Sequence, residues 1–346
     1  MRALAPLAAL LLLGACGGGG GGERLLFELE RMAFVSPGRC DWSGPTVIEP
    51  TRVRAWSDAL VRQLVERAPG LAFLEEVFPP FERTPVCDDL VVRAPLLVDR
   101  FEASRDDWRH YTGAAPAADG LDDPFAATSE DRWAWPAFCD LDEARAYAEA
   151  RSMRLLSAAE WMYVAAGTSF HRYPWGRDRS RSVANTLDLG LARPVGVGTF
   201  ERGRTGSGCY DLVGNAMEWV EGSLPPYSSL DWSGPQGPSA MGGSYLHTLK
   251  PLHAARSSGP PSNAVFDCVP LPPHSRSVDL GVRCAIEAEA FLRERLPALS
   301  RASSTRERLV RVGALWGRAA QPLLERLLAE RPGDFALSAL VEGARR

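Results

Sequence analysis

The chain has 346 residues, 45% of them hydrophobic, and a formal net charge of −4 at pH 7. This length fits one large domain with appended segments, and the hydrophobic content is ordinary for a globular protein. Nucleic acids bind strongly basic surfaces, and the nearly balanced charge of this chain does not indicate one. We therefore expect no nucleic acid partner.

The N-terminal residues 1–16 are predicted to be an export signal. A short apolar run ends in Leu13-Gly14-Ala15-Cys16, and such a run is too short to span a bilayer as a helix. The quartet resembles a bacterial lipobox, so Cys16 is the predicted lipidation site. We therefore expect a protein lipid-anchored in the bacterial cell envelope, at the periplasmic or outer-membrane face. The alternative is an ordinary secretory signal in which the cysteine is incidental.

Residues 17–30 are predicted to be a flexible tether, because they begin with six consecutive glycines. Farther along, apolar side chains recur at helical spacing within 45–83 and predict an inserted amphipathic helix. Two more helices are predicted over 140–152 and 157–166. Each opens with the spacing of a capping box, formed by Asp140 with Glu143 and by Ser157 with Glu160.

The C-terminal segment 287–346 loses the glycine and proline content that marks the preceding residues. Its apolar positions predict short amphipathic helices broken by Pro322 and Pro332. These helices would pack on the protein itself, since an amphipathic stripe usually faces its own core. A tail that binds a partner is the alternative.

Several motifs follow one another in the central part of the chain. They are RLLSAAEWMY (154–163), YPWG (173–176), ANT (184–186), YDLVGNAMEW (210–219), MGGSY (241–245), AARS (254–257) and GVRCA (281–285). Together they resemble the motifs of the sulfatase-modifying factor family, the formylglycine-generating enzymes and their relatives. The segments MAFVSPG (32–38) and PLLVDRFEAS (95–104) extend the likeness, so the resembling domain covers 31–286. The resemblance implies a loop-rich α+β fold related to C-type lectins, here with added helices.

The resemblance also implies bound calcium as a structural cofactor. The family's main site would correspond to the side chains of Asp211 and Glu218 with the backbone carbonyls of Gly214 and Ala216. All four groups are hard oxygen donors of the kind that Ca²⁺ prefers. A second site would begin at the ANT motif, with ligands on Asn185 and Thr186. The alternative is that the carboxylates only hold the loop in shape.

The defining chemistry of the family is not expected here. Its active enzymes use a pair of redox cysteines between the GGSY and AARS motifs to bind copper and oxidise a sulfatase cysteine. This chain has LHTLKPLH at 246–253, with no cysteine, and no other side chain there replaces a thiolate pair. We assign no catalytic residue and expect no redox metal.

Histidines and arginines near these motifs have simpler interpretations. His247, His253 and His274 could together hold a metal, but spacing alone shows no convergence, so packing or surface roles are favoured. Arg256 and Arg283 match the arginines of two family motifs and are expected to clamp carbonyls or carboxylates.

Six cysteines remain after the lipobox, and in an exported protein an even set favours disulfides. The candidates are Cys40, Cys87, Cys139, Cys209, Cys268 and Cys284. A metal cluster is the alternative, but no pair has the close spacing of a zinc site.

The sequence therefore predicts a non-catalytic recognition or scaffold module, stabilised by calcium and held at the envelope. Its expected partners are the membrane, through the lipid anchor, and an unknown protein or glycan. The alternative is a metal-dependent envelope oxidase of the same family, acting on an unknown substrate with a metal held by histidines or by a displaced cysteine such as Cys268.

Overall fold

The computed structural model of the chain describes residues 20–40, 90–116, 130–168, 171, 173–176, 180, 182–222, 238–247 and 268–346. These residues belong to two compact units. One combines Met1–Met32 with Glu289–Arg346, and the other is Ala33–Ala288. The helix predicted within 45–83 and the lipidation site Cys16 lie outside the described residues.

Ten short strands are described. They are β1 (Met32–Val35), β2 (Gly38–Cys40), β3 (Leu90–Val92), β4 (Leu96–Asp99), β5 (Arg154–Leu155), β6 (Met217–Val220), β7 (Ser239–Met241), β8 (Cys268–Pro270), β9 (Leu280–Val282) and β10 (Cys284–Glu287).

The strands form three small sheets. One has the order β1-β4-β10-β5, with β10 antiparallel to both β4 and β5. Another has the order β8-β7-β6-β9, in which β6 runs antiparallel to β7 and parallel to β9. The strands β2 and β3 pair antiparallel. Because β9 and β10 are separated by Arg283 alone, this residue lies at the junction of two sheets.

The larger unit carries α2 (Arg105–Thr112), α3 (Leu141–Ala150) and α4 (Ala158–Ala166). Both predicted capping boxes are confirmed: Asp140 and Ser157 cap α3 and α4, each in reciprocal hydrogen bonds with the glutamate three residues later. A third capping box, formed by Ser104 and Asp107, begins α2. Helices and separate short strands confirm the α+β class.

The core of the larger unit lies between α4 and strands of both four-stranded sheets. Trp161 of α4 is fully buried there among apolar side chains that include Val98, Leu212, Val220 and Met241. Burying each such side chain contributes roughly 1.5–3 kcal/mol, so this cluster is a principal source of the unit's stability. It also fixes the loop before β6, to which Leu212 belongs.

The smaller unit is helical, with α1 (Gly20–Glu30), α5 (Ala288–Arg295), α6 (Ser303–Glu330) and α7 (Phe335–Ala344). Within the described residues no helix combines the length and the apolar character needed to cross a membrane. At the crossing of α6 and α7, a β-carbon on Gly313 would lie 2.1 Å from the backbone oxygen of Leu340. Glycine there lets the two helices approach closely.

Residues 20–30 differ from the predicted tether because they are helical. The reason is burial: Leu25, Leu26 and Leu29 share one helix face and are all buried. Arg308 of α6 also holds the helix through ion pairs with Glu23 and Glu30 at 2.6 and 2.8 Å. The glycine run therefore does not keep this segment extended.

The break predicted at Pro332 is confirmed, because α6 ends at Glu330 and α7 begins at Phe335. The break predicted at Pro322 is wrong: Pro322 lies inside α6, and the non-helical residue is Gly317, with φ 61° and ψ −161°. Glycine adopts this conformation without the steric cost that a β-carbon brings. The apolar stripe of α6, including Leu309, Val312 and Trp316, is buried.

Candidate functional site

The candidate site is built around the loop that precedes β6. Three loop residues have positive φ angles: 55° at Asp211, 82° at Gly214 and 58° at Asn215. A β-carbon on Gly214 would lie 2.4 Å from the backbone oxygen of Asn185, so only glycine fits there. Asn215 N–H donates to that same oxygen at 2.7 Å, and Gly214 N–H donates to Gly242 O at 3.1 Å. The loop thus joins motifs that are distant in the sequence.

A chain of buried amides and one carboxylate continues from this turn. Nδ2 of Asn185 donates to Oδ1 of Asn215 at 3.0 Å and to the carbonyl of Arg193 at 2.9 Å. Nδ2 of Asn215 donates to Oε2 of Glu102 at 2.6 Å, and Ala216 N–H donates to Oε1 at 2.8 Å. Glu102 therefore fixes the turn by holding both a side chain and a backbone group.

The sequence motifs did not predict a role for Glu102. Glu102 lies between Phe101 and Ala103 and closely follows an apolar strand. This apolar context is the sequence feature that indicates a buried carboxylate. That signal does not identify its hydrogen-bond partners, because Asn215 is 113 residues away in the chain.

Glu218 of β6 is paired with Arg283. Arg283 Nη2 donates to Oε1 at 2.6 Å, and Nε lies 3.0 Å from both carboxylate oxygens. The indole Nε1 of Trp161 donates to Oε2 at 2.6 Å. Arg283 also donates to the carbonyls of Asp99 and Tyr210, at 2.8 and 2.7 Å. The predicted clamp role of Arg283 is confirmed, whereas Arg256 lies outside the described residues.

Three buried carboxylates in this region share one buried guanidinium. Burial, reinforced by the charges of Asp211 and Glu218, raises the pKa of Glu102 well above 4.5. Burial also raises the pKa of Asp211 to about 6, although the Gly198 N–H that it accepts at 2.6 Å lowers it. Since Arg283 can balance only one carboxylate, the cluster has excess negative charge when all three are ionised.

This arrangement tests the predicted calcium ligands in the loop. Asp211, Gly214, Ala216 and Glu218 all come from one short segment, but Glu218 does not fit a calcium ligand. Both of its oxygens are already bonded to the guanidinium and indole groups, and a cation there would lie beside a positive charge. Among the described residues, no three His, Cys, Asp or Glu side chains converge on a metal position. For Glu218, the alternative of a carboxylate that holds the loop agrees with the observed bonds.

The second predicted pair, Asn185 and Thr186, fits a cation better. Oδ1 of Asn185 and Oγ1 of Thr186 are buried and have no hydrogen-bond partner within the described part of the chain. The orientation of the Asn185 amide is determined, because both groups contacted by its Nδ2 can only accept. A buried oxygen without a hydrogen-bond partner lowers the stability of the fold by about 1–3 kcal/mol. Amide and hydroxyl oxygens of this kind are suitable calcium ligands.

A second polar cluster lies where the chain leaves the MGGSY motif. Oγ of the buried Ser244 lies 2.6 Å from Oδ2 of Asp279 and 2.8 Å from Nδ1 of His247. Ser277 Oγ donates to the other oxygen of Asp279. His247 was predicted to be a surface or packing residue, and the sequence did not indicate that it lies beside Ser244 and Asp279. His253 lies outside the described residues, and His274 is exposed.

The described cysteines are free thiols rather than disulfide partners. Cys139, Cys209 and Cys284 are all buried and unpaired, so the expected disulfides are not supported for these three. Burial raises the pKa of each thiol, which makes them poor nucleophiles and poor metal ligands. Cys87 and the side chains of Cys40 and Cys268 lie outside the description.

Comparison with known families gives a match over most of the larger unit. A model described as the sulfatase-modifying factor enzyme 1-like domain matches residues 88–288. A formylglycine-generating enzyme from Streptomyces coelicolor is 29% identical over 168 residues, which is 43% of this chain and 51% of that enzyme. A hercynine oxygenase from Mycobacterium tuberculosis is 32% identical over 89 residues, which is 25% of this chain and 21% of that protein.

Solved structures show a weaker likeness. Treponema denticola variable protein 1 aligns with a TM-score of 0.49 at 14% identity, covering 74% of this chain and 94% of that one. PvdO from Pseudomonas aeruginosa aligns with a TM-score of 0.45 at 18% identity over the same shares. The chain spans about half the length of the similar formylglycine-generating enzyme, 51% of it.

Proposed function

The chain belongs to the sulfatase-modifying factor enzyme 1-like domain family, and on that premise we propose that it is a non-catalytic recognition or scaffold module. The observation that carries this proposal is the sequence of the interval between the GGSY and AARS motifs. Leu246 to His253 contain no cysteine, whereas oxidation of a substrate thiol by the active enzymes needs a thiolate pair there.

The described thiols do not replace that pair. Cys139, Cys209 and Cys284 are buried in the core, where burial raises the pKa of each of them. A buried, protonated thiol neither binds copper well nor reaches a peptide substrate. The loop before β6 is held in place by hydrogen bonds with Glu102 and Arg283. Such a fixed surface supports a binding role, because recognition requires preorganised contacts rather than a reactive group.

The experiment is an oxidation assay on the whole purified protein. The protein, loaded with copper, is incubated under oxygen and a reductant with a peptide that carries a Cys-x-Pro-x-Arg motif. We expect no mass loss at the peptide cysteine and no near-equimolar copper or iron in the protein as purified. Catalytic conversion of the peptide, abolished by Cys268→Ser, would establish the alternative of a metal-dependent oxidase instead.

We propose that the module is stabilised by calcium held through the side-chain oxygens of Asn185 and Thr186. Bound calcium would satisfy these two buried oxygens and offset the excess negative charge of the nearby carboxylates. A ligand that binds only the native state adds roughly 2.7 kcal/mol at a hundredfold excess over its dissociation constant. We expect chelation to lower the melting temperature of the wild type and to have a smaller effect on Thr186→Val. An equal response of the two proteins would exclude Thr186 as a ligand.

We further propose that the protein is lipid-anchored in the bacterial envelope through Cys16 and recognises a protein or glycan there. The support is the lipobox-like quartet Leu13-Gly14-Ala15-Cys16 after a short apolar run. Replacing Cys16 with Ser is expected to release the protein from the membrane fraction or to stop its processing. An unmodified mature N-terminus in the wild type would contradict the anchor.

A further inference from the structure

In the cluster of Ser244, His247 and Asp279, the contacts that the described residues make with the imidazole of His247 are at Nδ1. Asp279 and Ser244 are buried, whereas the side chain of His247 is 45% exposed. Nδ1 of His247 faces the buried pair, at 2.8 Å from Ser244 Oγ and 3.9 Å from Asp279 Oδ2. No hydrogen bond to Nε2 is present among the described residues, so this nitrogen is the one available to a ligand.

The hydrogen bonds assign the tautomer of His247. Ser244 has one hydroxyl hydrogen, and the contact of 2.6 Å to the carboxylate of Asp279 takes it. The contact of 2.8 Å between Oγ and Nδ1 then needs a hydrogen on Nδ1. Ser244 N–H lies 3.2 Å from the same nitrogen and would favour the opposite tautomer, but this contact is longer. The shorter contact decides in favour of Nδ1–H, which leaves a lone pair on Nε2.

We propose that these three residues form a proton relay in which His247 Nε2 is a base facing the surface of the domain. In the step, an O–H bond of water or of a hydroxyl substrate breaks and its proton forms a bond with Nε2. The resulting imidazolium is stabilised by the negative charge of Asp279, transmitted through the hydroxyl of Ser244. Among the described residues, Asp279 is the charged group within 4.0 Å of the ring nitrogens.

Ser244 itself is excluded as the nucleophile. Its side chain is fully buried, and its Oγ already contacts Asp279, His247 and the N–H of Leu246, the last at 3.1 Å. Ser244 and Asp279 are therefore positioning residues, and His247 is the residue that would touch a substrate.

Apolar side chains beside His247 indicate what kind of substrate fits. Leu246 is 45% exposed and Leu187 is 47% exposed, and Leu187 N–H donates to the carbonyl of His247 at 2.8 Å. A base next to exposed leucines favours a substrate that combines an apolar group with a hydrolysable or ionisable one, such as a hydrophobic ester. The proposed module is non-catalytic with respect to the family's thiol oxidation, whereas this acid–base activity is a separate one that does not depend on the recognition role.

The first test measures the tautomer of His247 by NMR on the whole protein labelled with ¹⁵N-histidine. We expect the Nδ1–H tautomer in the wild type and the Nε2–H tautomer in Ser244→Ala, because this variant loses the hydroxyl that accepts from Nδ1 but keeps the backbone N–H that donates to it. His274, an exposed histidine in the same unit, is the internal control and should show the same ¹⁵N signals in both proteins. The same tautomer of His247 in both proteins would contradict the assigned hydrogen positions.

The second test measures release of 4-nitrophenolate from 4-nitrophenyl acetate, with water as the co-reactant. The proton of the attacking water goes to Nε2, its oxygen bonds to the acyl carbon, and 4-nitrophenolate leaves. We expect the wild type to exceed His247→Gln by about 10²-fold, the lower end of general base contributions. His274→Gln should retain the wild-type rate. An Nε2–H tautomer, or equal rates in the wild type and His247→Gln, would overturn the proposal.

Discussion

Arg283 and Glu218 form an ion pair in which the two side chains are 0% and 1% exposed. Arg283 is the single residue between β9 and β10, and Glu218 lies in β6, so the pair joins both four-stranded sheets. Breaking a buried pair by removing one partner leaves an uncompensated charge, which is far costlier than losing an exposed pair.

The first prediction follows from this burial. Arg283→Met is expected to lower the free energy of unfolding by about 3–5 kcal/mol, because Glu218 loses its counter-charge. The control is Arg145→Met, which breaks an ion pair with Glu221 of similar length, 2.7 Å, whose side chains are 47% and 43% exposed. This change should cost at most about 1 kcal/mol. Urea unfolding measures both, and equal losses would contradict the burial argument.

A second prediction concerns the glycine of the loop before β6. Gly214 and Gly190 have nearly the same φ, 82° and 83°, but among the described residues a β-carbon would meet a neighbour at Gly214 and none at Gly190. Gly190→Ala should lower the free energy of unfolding by roughly 1–3 kcal/mol, because alanine is strained in the left-handed conformation. Gly214→Ala should lower it by more than about 4 kcal/mol, because the clash with the Asn185 carbonyl adds to that strain. If thermal unfolding finds equal costs, the close approach is not a constraint in solution.

The third prediction is a pH dependence of stability that comes from Asp211. Its pKa is about 6 in the folded chain and 3.8 for the ordinary group, so the folded state binds a proton more tightly. The stability from this protonation is present below pH 3.8 and is lost as the pH rises through about 6. Asp211→Asn keeps an acceptor for Gly198 N–H and should flatten the unfolding free energy between pH 4 and 6. An unchanged slope would show that Asp211 does not titrate in this window.

A fourth prediction distinguishes free thiols from disulfides. Cys139, Cys209 and Cys284 should resist alkylation in the native protein, since they are buried and burial raises their pKa values. All three should react when the protein is unfolded without a reductant. Mass spectrometry of the labelled peptides provides the measurement. Any of the three that stays unlabelled until a reductant is added is in a disulfide in solution.

Local rules predicted the helices that begin with their own caps. Asp140 with Glu143, and Ser157 with Glu160, lie within one turn of each other, so their hydrogen bonds depend little on the rest of the chain. Helix α1 could not be found in this way. Helix α1 begins with glycines, which have poor helix propensity. The helix forms because its leucine side chains are buried and because Glu30 pairs with Arg308.

Calcium binding at the residues named from the motifs stays a prediction, and the hydrogen bonds around those residues were not predicted. The motifs identified the loop of Asp211 to Glu218 and the Asn185–Thr186 pair. They could not show that Arg283 forms hydrogen bonds with both carboxylate oxygens of Glu218. Nor could they show that Asp279 lies beside Ser244. Such contacts depend on tertiary packing between segments that are far apart in the chain, which periodicity and spacing do not report.

The chain of bonds from Glu102 through Asn215 to Asn185 has a consequence for how the domain folds. Its bonds join residues that are 113 and 30 positions apart, so each bond forms only after its own long loop has closed. Contacts of such high sequence separation slow folding. These bonds also tie the loop before β6 to distant segments, so opening any part of the loop would expose several buried polar groups. The backbone amides of Gly214, Asn215 and Ala216 are therefore expected to exchange with solvent only when the whole larger unit unfolds.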